Sequence, residues 1–331
     1  MLYEHMEGSS AACRLCAHRC VIGPSKRGIC GVRENHDGVL YSLVYGLPVS
    51  AAVDPIEKKP LYHVYPGSRS YSIATVGCNF RCTFCQNHDI SQAPRESGRI
   101  IGNATSPEDI VAAAVRSSCR SISYTYTEPT IFFEYAHDVG LIAHRKGLAN
   151  IFVTNGYMTS EALEVLHGLL DGANVDLKSF RDDFYREHCG GRLQPVLDAL
   201  EKMKASGVWL EITTLLIPGL NDDGGELRDL ARFINTLGRE TPWHVSRFYP
   251  QYRMTGRPAT PESAVRRALE IGREEGLLYV YAGNLPGDDG ESTFCPGCGN
   301  RLIGRHGYRI TENNLKNGAC LFCLRPMEGL L

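Results

Sequence analysis

The sequence predicts an α/β protein: a partial (β/α)6-type barrel with small cysteine-rich metal-binding modules at both ends. Three observations carry this. Between residues 71 and 285, β-prone segments alternate with helical ones, which implies a parallel sheet covered by helices. Thirteen cysteines in 331 residues fall mostly into three clusters, within 13–30, 78–85 and 295–323. Polar residues of the central region gather where predicted strands end, the rim on which a (β/α) barrel carries its chemistry.

Composition sets the broad class. An apolar share of 43% and a charged share of 22% fit an ordinary soluble globular chain. With 35 basic and 37 acidic residues the formal net charge is −2, which gives no pull toward nucleic acid or an anionic membrane. No apolar run is long enough to span a bilayer, and the first twelve residues lack a signal-peptide core. The expectation is a cytoplasmic protein with no membrane partner. In that reducing compartment, close-set CxxC pairs point to metals rather than disulfides.

Residues 1–70 form an N-terminal Cys-rich segment and a lead-in. Cys13-x2-Cys16-x3-Cys20-x9-Cys30 places four thiols in a short span with Gly23-Pro24 and Gly28 as turns, which suits zinc or an iron–sulfur cluster, zinc preferred. Asp54-Pro55-Ile56-Glu57-Lys58-Lys59-Pro60 reads as irregular because of its prolines. Its lysine pair suits either an anionic substrate group or plain solvated surface.

Residues 71–285 are the expected barrel. A β-rich stretch, Tyr71–Val76, ends at Gly77 and delivers Cys78, Cys82 and Cys85 to one loop. Ser106-Pro107 starts a helix on which Cys119 falls at a core spacing. Further strands are expected at 121–126, 150–154, 172–177, 209–216, 243–248 and 278–282. Helices are expected at about 131–147, 159–170, 193–206, 224–238 and 261–276, the last capped by Thr260. Cys189 stands alone. The strand ends carry Tyr124 to Pro129, Thr154-Asn155-Gly156, Asp176-Leu177-Lys178, and His244 to Tyr249. Residues 286–331 form a zinc-ribbon or rubredoxin-like tail, with Cys295, Cys298, Cys320 and Cys323 as a closed site for zinc or iron, zinc preferred. Scattered basic residues there, without interleaved aromatics, make nucleic acid a minor reading.

Three thiolates hold three corners of a four-iron cluster and leave the fourth iron without a protein ligand. The alternative is a structural zinc site with a ligand from elsewhere. Cys78-x3-Cys82-x2-Cys85, with Phe84 before the last cysteine, resembles the opening motif of radical S-adenosylmethionine (SAM) enzymes. The core resembles pyruvate formate-lyase activating enzyme. The whole chain, with its Cys13–Cys30 and Cys295–Cys323 stretches, resembles the radical SAM component of the AmmeMemoRadiSam group.

That resemblance implies a radical SAM barrel in which Cys78, Cys82 and Cys85 bind a [4Fe–4S] cluster and SAM chelates its open iron. Phe84 then lies near the adenine. The family's Gly-Gly-Glu stretch falls on Tyr126-Thr127-Glu128, without the glycines, which puts the close approach they permit in doubt. Val153 stands where activating enzymes carry an aspartate of a cation site, and Asp176 remains. Asn155 and Lys178 become contacts to SAM or substrate. Tyr124, Tyr126, His244 and Arg247 line a substrate rim, Arg247 suiting an anionic group. The implied partners are reduced flavodoxin or ferredoxin as electron donor, and Memo-like and AMMECR1-like proteins. The expected activity is reductive cleavage of SAM and hydrogen abstraction from an unidentified substrate, with a small molecule or a non-glycyl target preferred. The alternatives are a glycyl-radical-type activating enzyme acting on a partner protein, and a non-catalytic iron–sulfur or zinc electron-transfer or scaffold protein.

Overall fold

The computed structural model describes residues 1–285 and 289–331. The expected boundary between barrel and tail, at 285/286, touches the three residues outside the described ones. The central sheet has eight strands: β1 (Ser50–Pro55), β2 (Arg69–Ala74), β3 (Ser121–Tyr124), β4 (Ala149–Thr154), β5 (Gly172–Asp176), β6 (Trp209–Leu216), β7 (Trp243–Arg247) and β8 (Val280–Gly283). Chain neighbours are sheet neighbours throughout, from β1 to β8. β1 runs antiparallel to β2, and every later pair is parallel. The crossovers are made by α1 (Pro107–Arg116), α2 (Phe133–Arg145), α3 (Ser160–Val165), α4 (Gln194–Ala205), α5 (Gly224–Leu237) and α6 (Glu262–Glu274). β1 and β8 lie at opposite ends of the sheet order, so the barrel stays open between them.

Parallel strands buried on both faces carry apolar runs rather than alternation. β3 is buried at every position and β4 at all but Val153. The helices cover them with one apolar stripe each: α5 buries Leu227, Leu230, Ala231 and Ile234 at helical spacing. Ser106 caps α1 by accepting from the Asp109 amide at 3.1 Å, as its sequence predicts. Thr260 does not cap α6. Pro261 is the cap residue, and the Thr260 hydroxyl instead donates to Leu216 O and accepts from the Phe248 amide, tying β6 to the chain leaving β7.

The lead-in belongs to the sheet. Asp54 and Pro55, expected to be irregular, close β1, an edge position where proline's missing N–H costs little. Ahead of it, Ala11, Leu15, Ile22, Val32 and Val44 join the same hydrophobic core as the barrel. Arg33 and Glu134 pair bidentately at 2.8 and 2.9 Å across that junction. The tail is a pair of small antiparallel ribbons with its own cluster around Leu302 and Ile303. It is tied back to the lead-in by the bonds from Tyr65 N to Leu330 O (2.6 Å) and from Leu330 N to His63 O (2.8 Å). Among the described residues, no helix is long and apolar enough to cross a membrane.

Candidate functional site

The loop after β2 is anchored through its backbone and not through its thiols. The Cys78 carbonyl accepts from Arg95 at 2.7 Å, the Asn79 carbonyl from His18 at 2.9 Å, and the Phe80 carbonyl from Arg95 and Gln92 at 2.9 and 3.2 Å. On the far side, Arg81 N and Thr83 N donate to the carbonyls of Cys189 and His188, at 2.8 and 2.9 Å. Gly77 opens the loop at φ +102°, and an added Cβ there would lie 2.7 Å from Val32. Only glycine lets the N-terminal segment pack so closely under the loop. Cys189, which the sequence left alone, sits within hydrogen-bonding reach of Cys82. That contact first, and burial second, push the Cys82 thiol well above its ordinary value; burial does the same to Cys78. The donor set fits an iron–sulfur cluster: three soft sulfurs from one loop, buried or half-buried, with a backbone amide (Phe80) already pointing 3.3 Å from one of them. A cluster bound here would displace the protons of these thiols.

Around the loop stand the strand ends. Tyr126 adopts φ +61°, the left-handed conformation that a glycine would take without strain. Its side chain offsets that strain. The hydroxyl bonds to buried Asp54 and lies 3.2 Å from Lys59, whose ammonium also sits 4.3 Å from the ring centroid. Its carbonyl accepts from Asn87 at 2.8 Å, two residues beyond Cys85. Thr127 bonds back to Thr75 O at 2.9 Å, fixing this turn to the exit of β2. Glu128 is buried and accepts from Thr130 N and Oγ1, Thr154 Oγ1 and Asn155 N at 2.6–3.1 Å. Its carboxylate therefore shapes the turns beside the loop. Asn155 donates to Asn79 at 2.7 Å and lies 3.9 Å from the Cys78 sulfur, so it reaches the cluster loop directly.

Asp176 and Lys178 form an ion pair at 2.9 Å, with the ammonium 5.9 Å from the Phe84 ring. Burial works against that ammonium, yet Asp176 and the thiols of Cys82 and Cys189 keep it well above its usual value. Asp176 thus already has an internal cation. Arg247 is engaged elsewhere: Nε donates to Thr260 O at 2.6 Å and the guanidinium stacks on Tyr249. Tyr124 is wholly buried against Phe152 and bonded to Asn150, so it packs the core and does not face the rim.

A second feature went unread in the sequence. Between β1 and β8 a cavity with free volume ≈ 940 Å³, mouth included, opens against Lys58, Thr213, His244, Ser246, Glu291 and Tyr308. His244 is the rim residue it retains. Its Nε2 lies 2.7 Å from Glu211, a carboxylate buried mid-strand that also accepts from Tyr62 N and Trp209 Nε1. Burial alone raises a carboxyl, but His244, His63 and the Tyr62 amide hold Glu211 below its ordinary value. An acid inside the apolar stretch Trp209–Leu216 was the signal available. The lysine pair is neither free nor plain surface. Lys58 and Lys59 bind Asp54 at 2.8 and 2.7 Å, and Lys59 is buried, which lowers its pKa to about 8 despite that partner.

The two outer cysteine sets differ. Cys295, Cys298, Cys320 and Cys323 converge so that all four sulfurs lie within 4.8 Å of one another, the donor set of a single ion, zinc or iron. Cys13, Cys16, Cys20 and Cys30 instead line a cavity.

Comparison with known proteins agrees with this site. A sequence profile of the Radical SAM superfamily matches residues 72–234, which spans the thiol loop and the strand ends through Lys178. An uncharacterised protein of Methanocaldococcus jannaschii is 43% identical over the whole chain and 99% of its own length. The GTP 3′,8-cyclase of Listeria monocytogenes is 28% identical over 166 residues, about half of each chain. Two solved structures share the fold: a radical SAM methyltransferase from Sphaerobacter thermophilus (TM-score 0.51, 19% identity, 66% of this chain and 67% of that one) and Streptococcus suis SuiB bound to S-adenosylmethionine (0.52, 15%, 69% and 53%). With the matched region holding all three loop cysteines and the strand ends through Lys178, this chain belongs to the radical SAM superfamily.

Proposed function

We propose that this chain is an enzyme of the AmmeMemoRadiSam type that cleaves SAM reductively and abstracts hydrogen from a small molecule bound in the open side of its barrel. The observation that carries the reading is the cavity between β1 and β8. It is walled by the tail at His306–Tyr308, which makes it a pocket rather than a groove for an extended partner segment. When bound, the cluster and SAM supply a 5′-deoxyadenosyl radical, at the cost of one electron from a flavodoxin- or ferredoxin-type donor.

The residues do the remaining work. Cys78, Cys82 and Cys85 would hold the cluster. Glu128 fixes the turns that set Thr154 and Asn155 beside the loop. Lys178 places a cation near Phe84, where a carboxylate of the cofactor would find it. His244 and Lys58 both line the pocket, where they would meet polar groups of the substrate. Memo-like and AMMECR1-like proteins belong to this reading as partners acting before or after the reaction.

The test is anaerobic reconstitution with iron, sulfide, SAM and dithionite. 5′-Deoxyadenosine should form with the native chain and with Cys298→Ala, and Cys82→Ala should abolish it. A native protein that assembles the cluster yet makes none would end the proposal.

A further inference from the structure

We propose that Cys13, Cys16, Cys20 and Cys30 hold a second iron–sulfur cluster of the four-iron class, in place of the single zinc ion that their close spacing in the sequence favours.

The two outer sites provide an internal comparison. In the tail, the sulfur pairs Cys295–Cys323 and Cys298–Cys320 stand 3.5 and 3.7 Å apart. A tetrahedral ion with metal–sulfur bonds near 2.3 Å sets its sulfurs about 3.8 Å apart, so that site is already shaped for one atom. At the N-terminus the four thiols face one common cavity without three of their sulfurs meeting that close spacing. Leu15, Ile22, Arg33, Thr130 and Ile131 are among its other walls. Among the described residues the closed spacing occurs in the tail only; the Cys78 loop, whose cluster the superfamily implies, has the open spacing too. A cubane cluster holds its thiolates farther apart than a single ion can. The N-terminal set therefore matches the iron–sulfur loop and not the tail.

Its lining fits the same group. Arg33 borders the cavity at 2% exposure, its two terminal nitrogens are taken by Glu134, and its Nε has no hydrogen-bond partner. A buried N–H left unpaired is costly, and the sulfurs of an anionic cluster would accept it. Apart from Thr130 the rest of the wall is apolar or glycine, as a solvent-excluded cluster requires. The two thiol sets also share a partition. Cys30 O lies 3.2 Å from where a Cβ of Gly77 would stand, and His18 bonds the Asn79 carbonyl. Thr130 and Ile131, beside Glu128, close the cavity from the barrel side.

The experiment counts metals in the full chain purified and reconstituted without oxygen. About eight acid-labile sulfides with about eight cluster irons per chain are expected, plus one mononuclear ion in the tail. Replacing Cys78, Cys82 and Cys85 together by Ala should leave about four of each, with the absorbance and reduced-state paramagnetic signal of one cluster. Cys16→Ala combined with Cys20→Ala should remove the other half. About four sulfides with zinc filling the second site, or a triple variant without sulfide, would overturn the assignment. Formation of 5′-deoxyadenosine reports on the Cys78 loop independently, so loss of this proposal leaves the proposed activity standing.

Discussion

Tyr126 and Lys59 show how a rim residue acquires its geometry. The resemblance pointed to Tyr126-Thr127-Glu128 as a stretch without the glycines it implies, and the structure supplies the compensation. A tyrosine in the left-handed region is held there by a phenol anchored to Asp54 and two lysines. None of those anchors was legible, because Asp54 is 72 residues away and its burial depends on the edge strand that carries it. Lys59 offers a direct check. Burial first lowers its pKa from 10.5 to about 8, against the pull of Asp54. The native state then releases this proton where the unfolded chain still holds it, so stability rises with pH between those two values. Below about pH 8 both states carry the proton and the contribution is flat. Chemical denaturation of the native chain and of Lys59→Met from pH 7 to 10.5 should show the native chain gaining on the variant as pH rises. Parallel curves would refute the depressed value.

Among the elements, strands β2 to β8 and helices α1 to α6 begin within a few residues of their sequence-derived positions, although α3 ends at Val165, short of the expected 170, because burial on both faces and helical spacing are local signals. β1 was missed for the opposite reason. Its Ser50–Pro55 stretch is short, ends in proline, and becomes a strand only by pairing with β2. Cys189 was missed likewise: a short irregular turn brings it under the loop. The close fit of α6 to the sheet can be tested at Gly272. A Cβ there would stand 2.9 Å from the Trp243 ring and 3.0 Å from Val280, both buried in β7 and β8. Gly272→Ala gains helix propensity but must displace a rigid indole, and overpacking of a full core costs roughly 1–3 kcal/mol. A lower urea midpoint with an unchanged slope is expected. A variant as stable as the native chain would mean that α6 can shift outward freely.

The whole molecule is joined by side chains that a linear reading could not pair. Arg305, taken from the sequence as one of several basic residues in the tail, is buried within the lead-in. It donates to Tyr62 O and Thr293 at 2.7 Å and stacks over the Tyr62 ring at 4.2 Å. Glu57 approaches it at 3.9 Å and also accepts from Gly67 N at 2.8 Å. Burial raises the Glu57 carboxyl despite both partners. The tail therefore docks on the barrel's open side through a desolvated charge pair, and the pocket wall at His306–Tyr308 depends on that docking. Such pairs contribute little net stability, but removing one partner strands the other, at roughly 3–5 kcal/mol. Arg305→Met and Glu57→Gln should each destabilise the chain, and together cost clearly less than their sum. A guest in the pocket would feel Arg305→Met as a rise in KM with 5′-deoxyadenosine formation intact, since the Cys78 loop lies on separate supports. Strict additivity in denaturation would mean that the tail is held by its backbone bonds to Tyr65 and Leu330, and that the buried pair only fills space.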